Sequence, residues 1–166
     1  MTASRVVVTN NTPVSNLIRI GQLPLLGLLF GRVLIPQQVV DELERGKHVL
    51  GAWRQAPGAE ALTVETPLDG PFLRQLGAQL DAGEAGAIAL AVERGASLLL
   101  MDELDGRKVA RRHGLPMTGT VGILLEGKRA GHLGEVRPWI EALDREGFHL
   151  GEALKRHVLA AAKEDT

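Results

Sequence analysis

The residues of this sequence whose types could do chemistry are oxygen donors at the ends of apolar runs. Asn10-Asn11 follows Val6-Val7-Val8-Thr9, Asp102-Glu103 with Asp105 follows Ser97 to Met101, and Thr118-Gly119-Thr120 follows Leu115 to Met117. Glu42 and Glu84 stand on helically spaced segments that could border the same ends. Carboxylates and amides of this kind suit Mg2+ or Mn2+, hard ions that prefer oxygen and keep several of their waters. An ion so held stabilises the charge of a phosphodiester displacement and lowers the pKa of a bound water, so the expected chemistry is metal-dependent phosphodiester hydrolysis. The chain has no cysteine, which excludes a disulfide framework, a thiolate zinc site and a cysteine nucleophile, and its histidines are scattered without ligand spacing.

Each acid also has a purely structural reading. Asp81-Ala82-Gly83-Glu84 is an aspartate variant of the capping box, in which Glu84 only closes a helix start. Asp102 could cap a helix beginning near Leu104, with Asp105 favoured by that helix's dipole. Glu42 lies on the flank of the apolar side of its short helix while Asp41 points away, and a solvated surface glutamate fits that position equally well.

Arg107, Lys108, Arg111 and Arg112 form one stripe of the helix after Asp102, opposite Val109 and Ala110. The stripe reads either as a phosphate-contacting face or as an ordinary solvated basic face. Gly122 to Arg129 approximates a phosphate-binding loop, but it lacks the Ser or Thr that would hold Mg2+, and its apolar interior reads as helix. No Gly-x-Ser-x-Gly elbow offers a serine nucleophile.

The elements that must position these groups alternate along the chain. Strands are expected at Arg5 to Val8, Arg32 to Ile35, Leu62 to Glu65, Ser97 to Met101 and Leu115 to Met117. Between them, helices are expected from Thr12-Pro13 to Gly21, with the threonine as hydroxyl cap, and over Leu23–Phe30, Pro36–Arg45, Val49–Gln55, Pro71–Leu80, Gly83–Arg94 and Leu104–His113. Val121–Ala130 follows, and a C-terminal helical hairpin over about 134–163 turns at Gly147-Phe148. Strict alternation implies an α/β domain with a central parallel sheet and helices on both faces. In such sheets the functional crevice lies beyond the carboxyl ends of the strands, where the polar residues gather.

With 166 residues, 45% hydrophobic and 23% charged, the chain has the size and composition of one globular domain. Its net charge of −1 gives no whole-molecule attraction to nucleic acid, and 3% aromatic residues leave little for base stacking. Any RNA contact would rest on phosphates and shape. Met1 to Val8 falls far short of a secretory signal and Leu23 to Ile35 is too short and too broken to cross a bilayer, so a cytoplasmic protein without a membrane partner is expected.

Taken together, several segments resemble the bacterial and archaeal branch of PIN-like domains described as predicted nucleic-acid-binding proteins. They are Val6 to Pro13, Val33-Leu34-Ile35-Pro36 with Glu42-Leu43, Leu80 to Ala85 with Ala87 to Leu90, Leu98 to Glu103 with Gly106-Arg107 and Val109-Ala110, then Gly119 to Gly122 and Gly147-Phe148. The resemblance implies a Rossmann-like three-layer fold and a Mg2+ or Mn2+ site. It also implies ribonuclease activity, with relatives that are toxins neutralised by a small antitoxin. Carried over by motif, the metal site would comprise Asn10, Glu42, Glu84 and Asp102, with Asp105 as an outer member and Thr12 and Thr120 as polar supports. Nucleic acid would run along Arg107, Lys108, Arg111 and Arg112. The sequence departs from the pattern at Asn10, where relatives carry aspartate. A missing unit charge about 4 Å from a cation is worth roughly 4 kcal/mol at an effective dielectric of 20 before desolvation offsets it, so metal affinity and catalysis should be weakened.

The first expectation is therefore a PIN-like ribonuclease, and its rival is a PIN-like module that binds RNA or protein without turnover. The apolar C-terminal hairpin is expected either to cover the core or to form a homodimer contact. A phosphoacceptor receiver domain fits poorly, since Asn10-Asn11 and a threonine-glycine turn stand where such domains need an acidic pair and a lysine.

Overall fold

A computed structural model describes residues 5–46 and 50–164. Five strands, β1 (Val7–Thr9), β2 (Val33–Pro36), β3 (Leu62–Glu65), β4 (Leu98–Leu100) and β5 (Met117–Thr118), form one sheet in the order β3-β2-β1-β4-β5. All neighbours run parallel. Nine α-helices join them among the described residues: α1 (Asn11–Arg19), α2 (Pro24–Phe30), α3 (Gln37–Arg45), α4 (Pro71–Gly77), α5 (Ala82–Glu93), α6 (Leu104–Arg112), α7 (Thr120–Arg129), α8 (Arg137–Arg145) and α9 (Glu152–Ala161).

Alternation along the strands divides the core into two layers, because successive side chains leave a strand on opposite faces. Val7, Val33, Ile35 and Leu100 face a layer built from α1, α2, α7, α8 and α9 with Val39, Val40 and Leu43 of α3. Val8, Leu34, Leu99 and Met101 face α4, α5 and α6. A strand covered on both faces has no polar side, which is why these segments read as continuous apolar runs. α5 carries alanine at nearly every contact, so it lies close against both the sheet and α3.

The structure shifts some expected elements. Only a single 3-10 turn, Trp53–Gln55, forms where a helix over Val49–Gln55 is expected, and Val49 itself lies outside the described residues. β5 begins two residues later than expected, since its register is set by pairing Met117 with Leu99 and Thr118 with Leu100. The first helix starts at Asn11 with Asn10 as its cap residue, so Thr12 is no helix cap. Gly147, at φ 93, turns the chain between α8 and α9.

Candidate active site

The two central strands end side by side, and the Asn10 amide N–H donates to the Leu100 carbonyl at 2.9 Å. This brings Asn10, which is 2% exposed, beside the residues that follow β4. Asn10 Nδ2 donates to Glu103 Oε2 at 3.0 Å, and the Thr12 hydroxyl donates to the other oxygen, Oε1. A carboxylate is a stronger acceptor than a neutral group, which is why Thr12 reaches across to Glu103 instead of capping its own helix. Asn10 Oδ1 is buried and has no hydrogen-bond donor among the described residues.

Asp102 caps a helix, but not the one that follows it. Its Oδ1 accepts from the Thr120 amide at 2.9 Å and its Oδ2 from the Thr120 hydroxyl at 2.6 Å, which fixes it to the amino end of α7. Thr120 is fully buried, and Asn16 Nδ2 donates to its hydroxyl oxygen from behind at 3.2 Å. Gly119 makes this approach possible, since a Cβ there would collide with Asp102 Oδ1. Burial pushes the Asp102 carboxyl above its ordinary pKa, opposed by the two Thr120 hydrogen bonds and by the Arg107 charge. Arg107 is turned back over the site, where its Nη1 donates to the Met101 carbonyl at 2.8 Å.

Glu42 reaches the start of α5, the turn that also carries Glu84. Glu42 Oε1 accepts from the Gly83 amide at 2.9 Å and its Oε2 from Asn11 Nδ2 at 3.1 Å. Gly83 leaves room for this contact, because a Cβ there would displace the Glu42 carboxylate. Burial raises the Glu42 pKa, against the Asn11 hydrogen bond. Asp81 Oδ1 accepts from the Glu84 amide at 2.8 Å, so the helix cap read from Asp81 to Glu84 is present. That role does not exhaust Glu84. It is 8% exposed, and its pKa is raised to about 7, first by burial and then by the Asp81 and Glu103 charges.

The remaining sequence candidates occupy a different environment. Asp105 is exposed in the first turn of α6. Lys108, Arg111 and Arg112 are exposed on the same helix, opposite the buried Val109 and Ala110, whereas Arg107 is half-buried against Met101. The sequence similar to a phosphate loop is α7, and its lysine is committed elsewhere: Lys128 Nζ pairs with Glu164 at 2.7 Å. Among the described residues, no three acidic or histidine side chains lie close enough together to hold a metal ion.

Two contributors are absent from the set carried over by motif. Glu103 joins Asn10 and Thr12, and Asn11 holds Glu42. Adjacency to Asp102 is the only sequence signal for Glu103, while Asn11 carries the signal of its polar pair with Asn10. A cleft of about 490 Å3 opens from Asp102, Arg107 and Gly119 toward Leu150 and Leu154. No described helix is long and apolar enough to cross a membrane.

No curated protein matches this chain. A family model described as a PIN domain matches residues 6–164, and a parallel five-stranded α/β sheet in the order 3-2-1-4-5 agrees with a PIN fold. The chain belongs to the PIN domain family.

Proposed function

We propose that this PIN domain is a Mg2+- or Mn2+-dependent endoribonuclease. The observation that carries the reading is the Asn10 amide oxygen, a buried acceptor beyond the end of the central strand with no donor among the described residues. Leaving such a group unsatisfied costs about 1–3 kcal/mol, and a cation would relieve it. The ligand set that the PIN resemblance implies, Asn10, Glu42, Glu84 and Asp102 with Asp105 outside it, is oxygen only and so suits such an ion in its chemistry. Because no three acids stand together among the described residues, the ion itself would have to draw them in. Glu84, raised to about 7 by burial and by neighbouring acids, supports the same fit, because a divalent charge relieves that crowding. When bound, the ion would neutralise phosphate charge and lower the pKa of its water. Thr120 and Asn16 hold Asp102 in one orientation, and Arg107 stands at the cleft floor for a phosphate oxygen. Lys108, Arg111 and Arg112 offer exposed charge to the flanking strand.

A specific contact favours a second reading, a PIN module that binds RNA or protein without turnover. Asn10 replaces an acidic ligand with an amide, and its Nδ2 and the Thr12 hydroxyl together satisfy Glu103 inside the protein. Calorimetric titration with Mn2+, paired with cleavage of a mixed RNA pool with and without chelator, separates the two. The ribonuclease reading expects saturable metal binding and chelator-sensitive cleavage. Asp102→Asn should lower both at least tenfold, while Thr120→Val, which removes only the support, should lower them less. Metal-independent RNA binding without cleavage would leave the module. A toxin role follows from the ribonuclease reading: growth arrest on expression, relieved by a small protein encoded beside the gene, is its test.

A further inference from the structure

At the end of the sheet opposite Asn10 and Asp102, three arginines from three elements line one hollow of about 410 Å3. Arg5 precedes β1, Arg32 precedes β2, and Arg94 caps the carboxyl end of α5. Val7, Leu34 and the half-buried Phe30 share the lining. We propose that this hollow is a binding site for a phosphate monoester with an apolar or aromatic body, the chemistry of a nucleotide.

The charge at the site is not cancelled internally. Among the described residues, Glu65 is the one carboxylate paired with any of the three, at 2.8 Å from Arg94 Nη1, so two guanidinium charges remain in excess. The contacts that do exist fix the arginines and leave donors over. Thr63 Oγ1 accepts from Arg32 Nε at 3.1 Å, and Glu65 engages only Nη1 of Arg94. Both Nη groups of Arg32 and the Nε and Nη2 of Arg94 therefore have no acceptor among the described residues. Planar guanidinium forks match phosphate oxygens in pairs, and forks already oriented by neighbours lose less freedom on binding. The volume exceeds what an inorganic ion alone would fill, and the apolar lining beside the forks suits the body of an ester.

The structural reading is that Arg94 and Arg32 serve only to tie β3 to α5 and β2. That accounts for one contact of each, but not for Arg5, nor for the convergence on one hollow. Calorimetric titration of the full chain with adenosine monophosphate and with inorganic phosphate at low salt tests the proposal. The nucleotide should bind at least fivefold tighter than phosphate. The double variant R5A/R32A should weaken it at least tenfold, and both positions are exposed, so circular dichroism should show an unchanged fold. F30A should erase the preference for the nucleotide. The triple variant R74A/R129A/R145A removes more charge from exposed positions outside both proposed sites and should leave the affinity within twofold. Equal binding of the two ligands, unchanged affinity in R5A/R32A, or an equal loss in the triple variant would each overturn the site. None of these outcomes depends on cleavage of RNA.

Discussion

Two glutamates with shielded side chains, Glu84 in the first turn of α5 and Glu164 reaching the start of α8 from beyond α9, behave in opposite ways. Glu84, in the first turn of α5, has its pKa raised to about 7 by burial and by the charges of Asp81 and Glu103. The Glu164 side chain is also shielded from water, which alone would raise it, yet Lys128 and the amides of Val136 and Arg137 outweigh that effect and its pKa ends below the ordinary value. Its Oε2 accepts from Lys128 Nζ at 2.7 Å and from the Val136 amide at 2.8 Å, and its Oε1 from the Arg137 amide at 3.0 Å. Desolvation is common to both acids, so the difference is the sign of the neighbouring charge. An acid met by a cation and free amides is a clamp. An acid met by other acids is held toward its neutral form.

The largest effect expected from this contrast is on stability at the clamp. Glu164→Ala removes the cap of α8 and leaves Lys128 with only the Ala162 carbonyl as acceptor, which should cost about 2 kcal/mol at pH 7. Because the folded pKa is depressed, the contribution is present above the ordinary 4.5 and is lost as pH falls through the folded value. Urea denaturation of parent and variant at pH 7 and at pH 3 measures it. A gap that persists at pH 3 would mean that the side chain contributes packing instead of charge.

Glu84→Gln should do the reverse. A carboxyl whose folded pKa is raised from 4.5 to about 7 loses stability as pH climbs through that interval, because the unfolded chain ionises first. Removing the charge should stabilise the metal-free protein by roughly 1–3 kcal/mol at pH 8, after allowance for residual solvation of the carboxylate, and by almost nothing at pH 4. The same denaturation series checks it. Equal curves at pH 8 would place Glu84 among well-solvated acids and remove the contrast with Glu164.

The two acids also differ in how far the sequence discloses them. Glu84 is legible twice, as the closing residue of a capping box and through the similarity of its segment to PIN domains; the Asp81 cap on the Glu84 amide is present, and the chain as a whole belongs to the PIN family. The inner strands were legible because burial on both faces leaves apolar runs, as in Val7–Thr9, Val33–Pro36 and Leu98–Leu100. The edge strand Leu62–Glu65 is instead half-buried and alternates Thr63 and Glu65 with Leu62 and Val64, yet it too is recovered with its bounds intact. Asp102 was legible as a strand-end acid, but its partner was not. The choice of α7 over α6 depends on the parallel pairing of β4 with β5, a contact between residues far apart in the chain. Thr12 fails likewise, since local rules favour a cap whereas its acceptor, Glu103, comes from another strand end. Glu164 carried no local signal at all, because Lys128 and the start of α8 reach it only through tertiary packing.

Asn10→Asp gives the smallest and sharpest test, because it adds one charge to the acid-rich side of the comparison without changing side-chain size. In the metal-free protein the new carboxylate would lose the hydrogen bond that Asn10 Nδ2 gives to Glu103 Oε2 and would face that acid directly. At 2% exposure it is poorly solvated, so part of the penalty will be met by a raised pKa. The net loss should be about 1 kcal/mol at pH 7, smaller at pH 5, where protonation restores a donor toward Glu103. With Mn2+ the sign should reverse: binding should tighten about tenfold, and saturating metal should more than recover the lost stability. Denaturation at both pH values with and without Mn2+ reads all four quantities in one series. A variant that is destabilised without metal and gains nothing from it would show that the orphan amide oxygen is a packing defect. The cleft would then be a cluster of helix-start acids in a binding module, and Glu84 would be a strained cap with no cation to answer it.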